Sequence, residues 1–285
     1  MYKRDSFVAT LRYSEIHPGL PLADAIRCIW TAEGVAAGAP PPDPVVPDGC
    51  VELVLNLGDP FEQLVNGSFA RQPLAMLIGQ STRPAIIRPS GRVDLIGVRL
   101  HPWAARRLLR IPAGEVRDRL LPMDDVPTAV DPSLFDAIAS VSTPASRMTL
   151  LTRHLERALS SSRETDRAHR SLVRLVLSPA GPSSVKDLAR RTGRGMRAIQ
   201  RTFEHEIGLA PKALMRIARV QRALRLARTL PELSWASIGA RAGYFDQSHL
   251  VREFRDLVGC VPTEFRAPAD SLTHALLQRS EEELM

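Results

Sequence analysis

Seven polar residues in the last third of the chain have the types and spacing to read base-pair edges. Arg197, Gln200 and Arg201 form one set, and Gln247, Ser248, His249 and Arg252 form a second. An arginine fork matches guanine O6 and N7, and a glutamine amide matches adenine N6 and N7. Ile199 and Phe203 lie four residues apart, as do Leu250 and Phe254. In helices these pairs face a core and turn the polar sets outward. A plainer reading stands beside this one: surface arginines on basic helices, and His249 as a structural hydrogen-bonder. An isolated histidine is no evidence for a metal or for acid–base chemistry.

The elements that would carry these residues occur twice. Phe203, Gly208 and Pro211 follow the pattern F-x4-G-x2-P, and so do Phe254, Gly259 and Pro262. Upstream lie a second matching pair, Leu188 to Gly193 and Ile238 to Gly243. Each unit reads as a short helix, a glycine turn and a second helix ending near phenylalanine, which is helix-turn-helix architecture duplicated in one chain. Ser184 and Asp187 form a capping-box-like start to the first unit, and Asp246 suits the N-cap of the last helix, whose N-terminus also attracts phosphate. The connector from Pro211 to Leu230 reads as a helix about 30 Å long, and major-groove windows on one DNA face recur at about 34 Å. Leu214, Ile217, Ala218, Leu224 and Ala227 form its buried side. Arg216, Arg219, Arg222, Arg225 and Arg228 recur every third residue, a stripe that drifts around a helix and reads mainly as a solvated, ion-paired face, with a couple left for phosphates.

The formal charge is +7, from 38 Lys and Arg against 31 Asp and Glu. It is concentrated: residues 1–170 carry +1, 171–268 carry +9 and 269–285 carry −3. The basic segment is thus the one holding the repeat. No run of apolar residues is long enough to span a membrane, and Met1 to Phe7 lack the apolar core of a secretion signal. Cys28, Cys50 and Cys260 are far apart and odd in number, which favours buried thiols in a reducing cytoplasm over disulfides or a metal.

The segment from about Ser171 to Arg266 resembles the DNA-binding domain of the AraC/XylS family of bacterial transcription regulators. The residues that carry the resemblance are Leu188-Ala-x-x-Thr-Gly193, Arg197-x-Ile-Gln-Arg201-x-Phe203, Gly208-x-x-Pro211 and Arg219-x-x-x-Ala223. They continue as Ile238-x-x-x-Ala-Gly243-Tyr-Phe-Asp-Gln-Ser-His249-Leu-x-Arg252-x-Phe254 and Gly259-x-x-Pro262-x-x-Phe-Arg266. The resemblance implies base contacts at Arg197, Gln200, Arg201, Gln247, Ser248, His249 and Arg252. Two departures stand out: Gly195 where the family has a serine N-cap, and Gly239 where it has alanine, a change expected to loosen the second unit.

The preceding half reads as β-rich. Apolar runs at 51–57, 74–78, 85–87 and 93–100 alternate with turn residues, of which Asn66-Gly67 is a hairpin signal. The prolines of 39–44 read as an exposed loop, and helices are expected at 103–109, from about 132 to 141, and over 146–159 and 169–177. The fold class is therefore α+β: a β-rich N-terminal domain with C-terminal helices, then an all-α domain of two helix-turn-helix units joined by a long helix. The expected division is 1–165 for effector sensing or dimerisation, 166–268 for DNA binding and 269–285 as an acidic tail, with the polar break at 160–166 between the first two.

Pro47 to Leu53 and Ile96 to Trp103 resemble the uncharacterised, β-barrel-like sensor domains that accompany some members of the family. That resemblance implies no particular ligand. His17, His101, His154 and His169 include no H-x-H pair, and Cys28 and Cys50 cannot build a four-cysteine zinc site. Trp30, Asp48, Glu52, Arg99 and Trp103 are the polar and aromatic positions that would line a ligand pocket; the plainer reading makes them core tryptophans, a turn aspartate and surface ion pairs. The expectation is a cytoplasmic, sequence-specific, effector-responsive regulator with no catalytic residue, cofactor or metal. Its partners would be double-stranded DNA, an unknown small-molecule effector, RNA polymerase and a second copy of itself, with no membrane. The alternative is a DNA-modifying or repair enzyme fused to a helix-turn-helix module.

Overall fold

The computed structural model describes residues 11–36, 42–131, 133–160 and 167–265. The acidic tail, residues 161–166 of the polar break and residues 39–41 of the proline run lie outside them.

The β-rich part consists of two antiparallel sheets. Its strands are β1 (Arg12–Ile16), β2 (Ile26–Val35), β3 (Asp43–Val45), β4 (Glu52–Asn56), β5 (Glu62–Val65), β6 (Ser68–Arg71), β7 (Ala75–Ile78), β8 (Ala85–Arg88), β9 (Arg92–Leu100) and β10 (Leu120–Pro122). The larger sheet runs β1-β2-β9-β4-β7-β10 and the smaller runs β3-β8-β5-β6. The long strands β2 and β9 are neighbours inside the larger sheet; β9 is buried on both faces for most of its length, and β2 on both faces only around Cys28–Trp30. At Cys28–Trp30 that double burial puts three apolar residues in a row and interrupts the polar alternation that marks a strand, which hides β2 in the sequence. Asn66 (φ 50°) and Gly67 (φ 83°) make the two-residue turn between β5 and β6. Part of the proline run differs from the expected loop: Asp43–Val45 is a strand paired with β8. It sits at a sheet edge, where Pro44 withholds no ladder donor.

Helices follow. The helix expected at 103–109 is confined to α1 (Ala105–Leu108), because the chain turns through His101–Ala104 to bury Trp103. Next come α2 (Leu134–Ala139), α3 (Pro144–Ser160) and α4 (Arg167–Leu177). The stripes Leu151, Leu155 and Leu159 of α3 and Leu172, Val173 and Val176 of α4 are buried. Asp24 accepts a bidentate pair from Arg170 of α4 and lies 3.7 Å from Arg107.

The last third is α5 (Val185–Thr192), α6 (Met196–Thr202), α7 (Pro211–Thr229), α8 (Trp235–Ala242) and α9 (Gln247–Val258). A π turn, Phe203–Ile207, extends α6. The four glycines of the repeat, at 193, 208, 243 and 259, all have φ between 66° and 91°. They are left-handed helix stops, a role that an L side chain fills poorly. One continuous cluster of buried side chains runs from the larger sheet through α3 and α4 into both helix-turn-helix units.

Candidate nucleic-acid interface and effector pocket

The second helix of each unit is placed by burial of one face. On α6, Ile199 and Phe203 are fully buried, and Arg197, Gln200 and Arg201 are exposed. On α9, Leu250 and Phe254 are fully buried, and Gln247, Ser248 and Arg252 are exposed. The N-caps are Gly195 and Asp246. Counted from those caps, Arg201 and Arg252 occupy the same position of their helices, in the second turn, on the face turned away from the core.

His249 is placed differently. Its Nε2 lies 3.2 Å from Glu253 Oε1 and its ring meets Tyr244 edge-on at 5.2 Å. Glu253 is buried in α9 and also takes Arg216 Nε at 3.2 Å and Arg219 NH2 at 2.8 Å from α7. Burial pushes the Glu253 carboxyl up, but the hydrogen bond and charge of Arg219, then those of His249, outweigh it and hold the pKa below the ordinary glutamate range. Arg222 donates to the carbonyls of Ala242 and Ser178, and Arg225 and Arg228 are engaged as well. The arginine stripe of α7 is thus mainly internal: Arg216, Arg219 and Arg222 hold the second unit against the connector. The sequence carries a sign of this, since Glu253 falls between Leu250, Phe254 and Leu257, where a helix turns inward.

The two departures at glycine have separate reasons. Gly239 lies on the buried side of α8, where a Cβ would come within 3.2 Å of Leu250 Cδ2, so its absence lets α9 approach rather than loosening the unit. Gly195 has ordinary extended dihedrals (φ −66°, ψ 142°) and open space around a Cβ. The other three helices of the two units have side-chain caps, from Ser184, Ser234 and Asp246. Gly195→Ser should therefore be tolerated and stabilise the fold by a few tenths of a kcal/mol. Urea denaturation of both proteins measures this; a loss above about 1 kcal/mol would mean the helix start has another geometry.

The first unit is mounted on the β-rich part. Gln80 donates to Ile207 O, and Arg117 NH1 donates to Gly208 O at 3.2 Å. A Cβ on Gly208 would stand 2.6 Å from the backbone of Ala113, so this glycine serves close approach as well as the turn. Gln221 of α7 donates to Pro47 O at 2.7 Å.

A cleft in the β-rich part opens beside that last contact. Trp30, Asp48, Glu52 and Arg99 line it together, with Glu15, Phe61 and Gln221 among the other walls. Arg99 is buried between two carboxylates, donating to Glu52 and lying 3.2 Å from Asp48 Oδ2. Burial raises the Glu52 pKa more than Arg99 lowers it, whereas at Asp48 the charges of Arg99 and Arg27 and the amide of Cys50 overcome burial and lower it. Trp30 lies over Gly97 of the neighbouring strand, where a Cβ would be 1.9 Å from the indole, and stacks on Tyr13 at 6.0 Å. Trp103 is not in this cleft. Its Nε1 donates to Asp24 O at 3.1 Å, its ring stacks on His101, and Arg174 of α4 lies over it. It belongs to the junction between sheet and helices. Glu15 and Gln221 were missed in the sequence because each faces the cleft through pairing or packing remote in the chain. Among the described residues no group of histidine, cysteine, aspartate and glutamate has a metal-binding arrangement, and no helix is long and apolar enough to cross a membrane.

Two helix-turn-helix units on one connector, each with an exposed polar face on its second helix, define a DNA-binding regulator domain. A family described as a helix-turn-helix domain matches residues 188–268, and a domain of unknown function, DUF6597, matches residues 14–122. The chain thus carries an AraC-type helix-turn-helix domain behind a domain of unknown function. Among solved structures, ToxT from Vibrio cholerae is 9% identical, with 96% of this chain and 99% of that one covered at a TM-score of 0.48. Unsaturated fatty acid-bound ToxT from the same organism is 12% identical over 93% and 96%, at 0.44. The AraC-like transcriptional activator CuxR is 13% identical over 82% and 91%, at 0.28. Likeness at these levels assigns neither ligand nor partner to this chain. No curated protein matches.

Proposed function

We propose that this protein is a sequence-specific, effector-responsive regulator that lays α6 and α9 in neighbouring major grooves of one DNA duplex. The observation that carries this reading is the equivalence of Arg201 and Arg252, both exposed at the same distance from their helix N-caps. Arg197, Gln200, Gln247 and Ser248 complete the reading faces, and His249 supports the second from its flank while bound to Glu253. The connector α7 has 19 residues, about 28 Å, which suits grooves that recur at about 34 Å. In this reading residues 1–165 sense an effector and dimerise, 166–268 bind DNA, and 269–285 are an acidic tail. RNA polymerase is a further partner, and the protein works in the cytoplasm. The effector site is the cleft of Trp30, Asp48, Glu52 and Arg99, and Gln221 ties its rim to α7.

Arg201→Ala and Arg252→Ala should each cost about 1–3 kcal/mol at the preferred site and relax preference at one or two bases. Binding should also weaken steeply with salt, each neutralised phosphate adding about −0.9 to the log–log slope. Selection from a random duplex library with wild type and both variants checks this. Unchanged base preferences in both would remove these arginines from the reading set.

A further inference from the structure

Phe245 is the most exposed large apolar side chain among the described residues, at 93% of its surface. It stands in the turn between α8 and α9. In the first unit one residue, Arg194, separates the helix-stopping Gly193 from the N-cap Gly195. In the second, two residues separate Gly243 from the N-cap Asp246. Of this longer turn, Tyr244 goes inward, buried against His249 and Arg219, and Phe245 goes outward. The turn is therefore held from inside by a packed ring while a second ring is left in water.

The surroundings of Phe245 indicate what covers it. The next exposed residues are Asp246, Gln247 and Ser248, and Arg252 follows on the same helix. In helix-turn-helix proteins the start of the second helix reaches the base edges of the major groove, so a side chain just before its N-cap arrives at the same groove. The one apolar feature that the major groove displays is the C5 methyl of thymine, and phenylalanine is among the side chains that contact it. The segment's +9 charge brings a polyanion to this face. We propose that Phe245 packs against a thymine methyl group and makes the second unit select thymine at one position. This rests on the reading of α9 as a groove helix.

The test uses full-length protein and the preferred duplex obtained by selection. Each thymine is replaced singly by deoxyuridine, which removes the methyl and leaves every hydrogen-bonding group. Wild type should weaken by about fourfold at one position, the factor for burying one methyl-sized group. Phe245→Ala should show no such sensitivity, should bind the methyl-free duplex as wild type does, and should keep the same salt slope. Phe245→Leu, which retains a smaller apolar surface, should keep part of the effect. If wild type selects a site but no thymine shows coupling to residue 245, the inference falls and the groove reading stands. Loss of self-association or of RNA polymerase binding in Phe245→Ala, with DNA binding unchanged, would also overturn it, by showing a protein partner on this ring. A wild type with no base preference anywhere would overturn the groove reading, and the inference with it.

Discussion

Arg99→Leu should destabilise the fold by about 3–5 kcal/mol at neutral pH, the range for removing one partner of a buried ion pair. The reason lies in what remains. Asp48 and Glu52 face each other across the space that the guanidinium fills, and Arg99 is 7% exposed. Without it two carboxylates share a poorly solvated site, and the remaining counter-charge nearby is Arg27. Their folded-state pKa values then rise above the unfolded ones. A raised carboxyl pKa gives a penalty that is full at high pH and is relieved as pH falls through it. The deficit of the variant should therefore shrink between neutral pH and about pH 4. Urea denaturation of wild type and variant at both pH values measures it. A deficit that is the same at both would show that the loss is one of packing and not of charge.

Glu253→Ala should have a comparable effect of about 3 kcal/mol, concentrated in the second helix-turn-helix unit. One carboxylate accepts from Arg216, Arg219 and His249, so its removal releases two arginines of α7 and the imidazole together. The wild-type pH dependence follows in sign. The folded-state pKa of Glu253 is lowered, so its stabilising contribution is present above the unfolded glutamate pKa and is lost as pH falls through the lower, folded value. Glu253→Ala should lack that acid-sensitive component. Amide hydrogen exchange should show faster opening of α8 and α9 with α5 and α6 unchanged. Equal acceleration in both units would mean that Glu253 stabilises the whole helical part.

The helical third was legible because its geometry is local. Apolar pairs four apart, glycine stops and polar caps lie within one turn of the residues they control, and Ser184, Asp246 and the four repeat glycines stand where their types require. The exposed faces of α6 and α9 followed from the same periodicity. The direction of His249 did not, because it depends on Glu253 and on the arginines at 216 and 219, remote in the chain. The arginine stripe of α7 had the reading of ion pairs beside that of phosphate contacts, and the structure gives partners inside the fold. In the β-rich half the alternation of β2 was interrupted at Cys28–Trp30, where both sides are buried. The cleft grouped Trp30, Asp48, Glu52 and Arg99 but not Trp103, because cross-strand register, which sets β4 beside β9, cannot be read along one strand.

The seat of Gly208 against Ala113 bears on how such regulators diversify by exchange of parts. Ile207 and Gly208 end the extension of α6, and both of their carbonyls are satisfied by side chains of the β-rich half, Gln80 and Arg117. A recombinant that joins these helices to a foreign sensor would inherit two carbonyls without donors and a bare apolar seat around Leu209 and Leu214, which now lie against Gly49. The helical part is thus fitted to its counterpart surface, and a foreign sensor would leave water to hydrate these carbonyls and to meet the apolar seat. A transplanted helical part would keep its present contacts only if residues 47–49, 80 and 113–117 went with it.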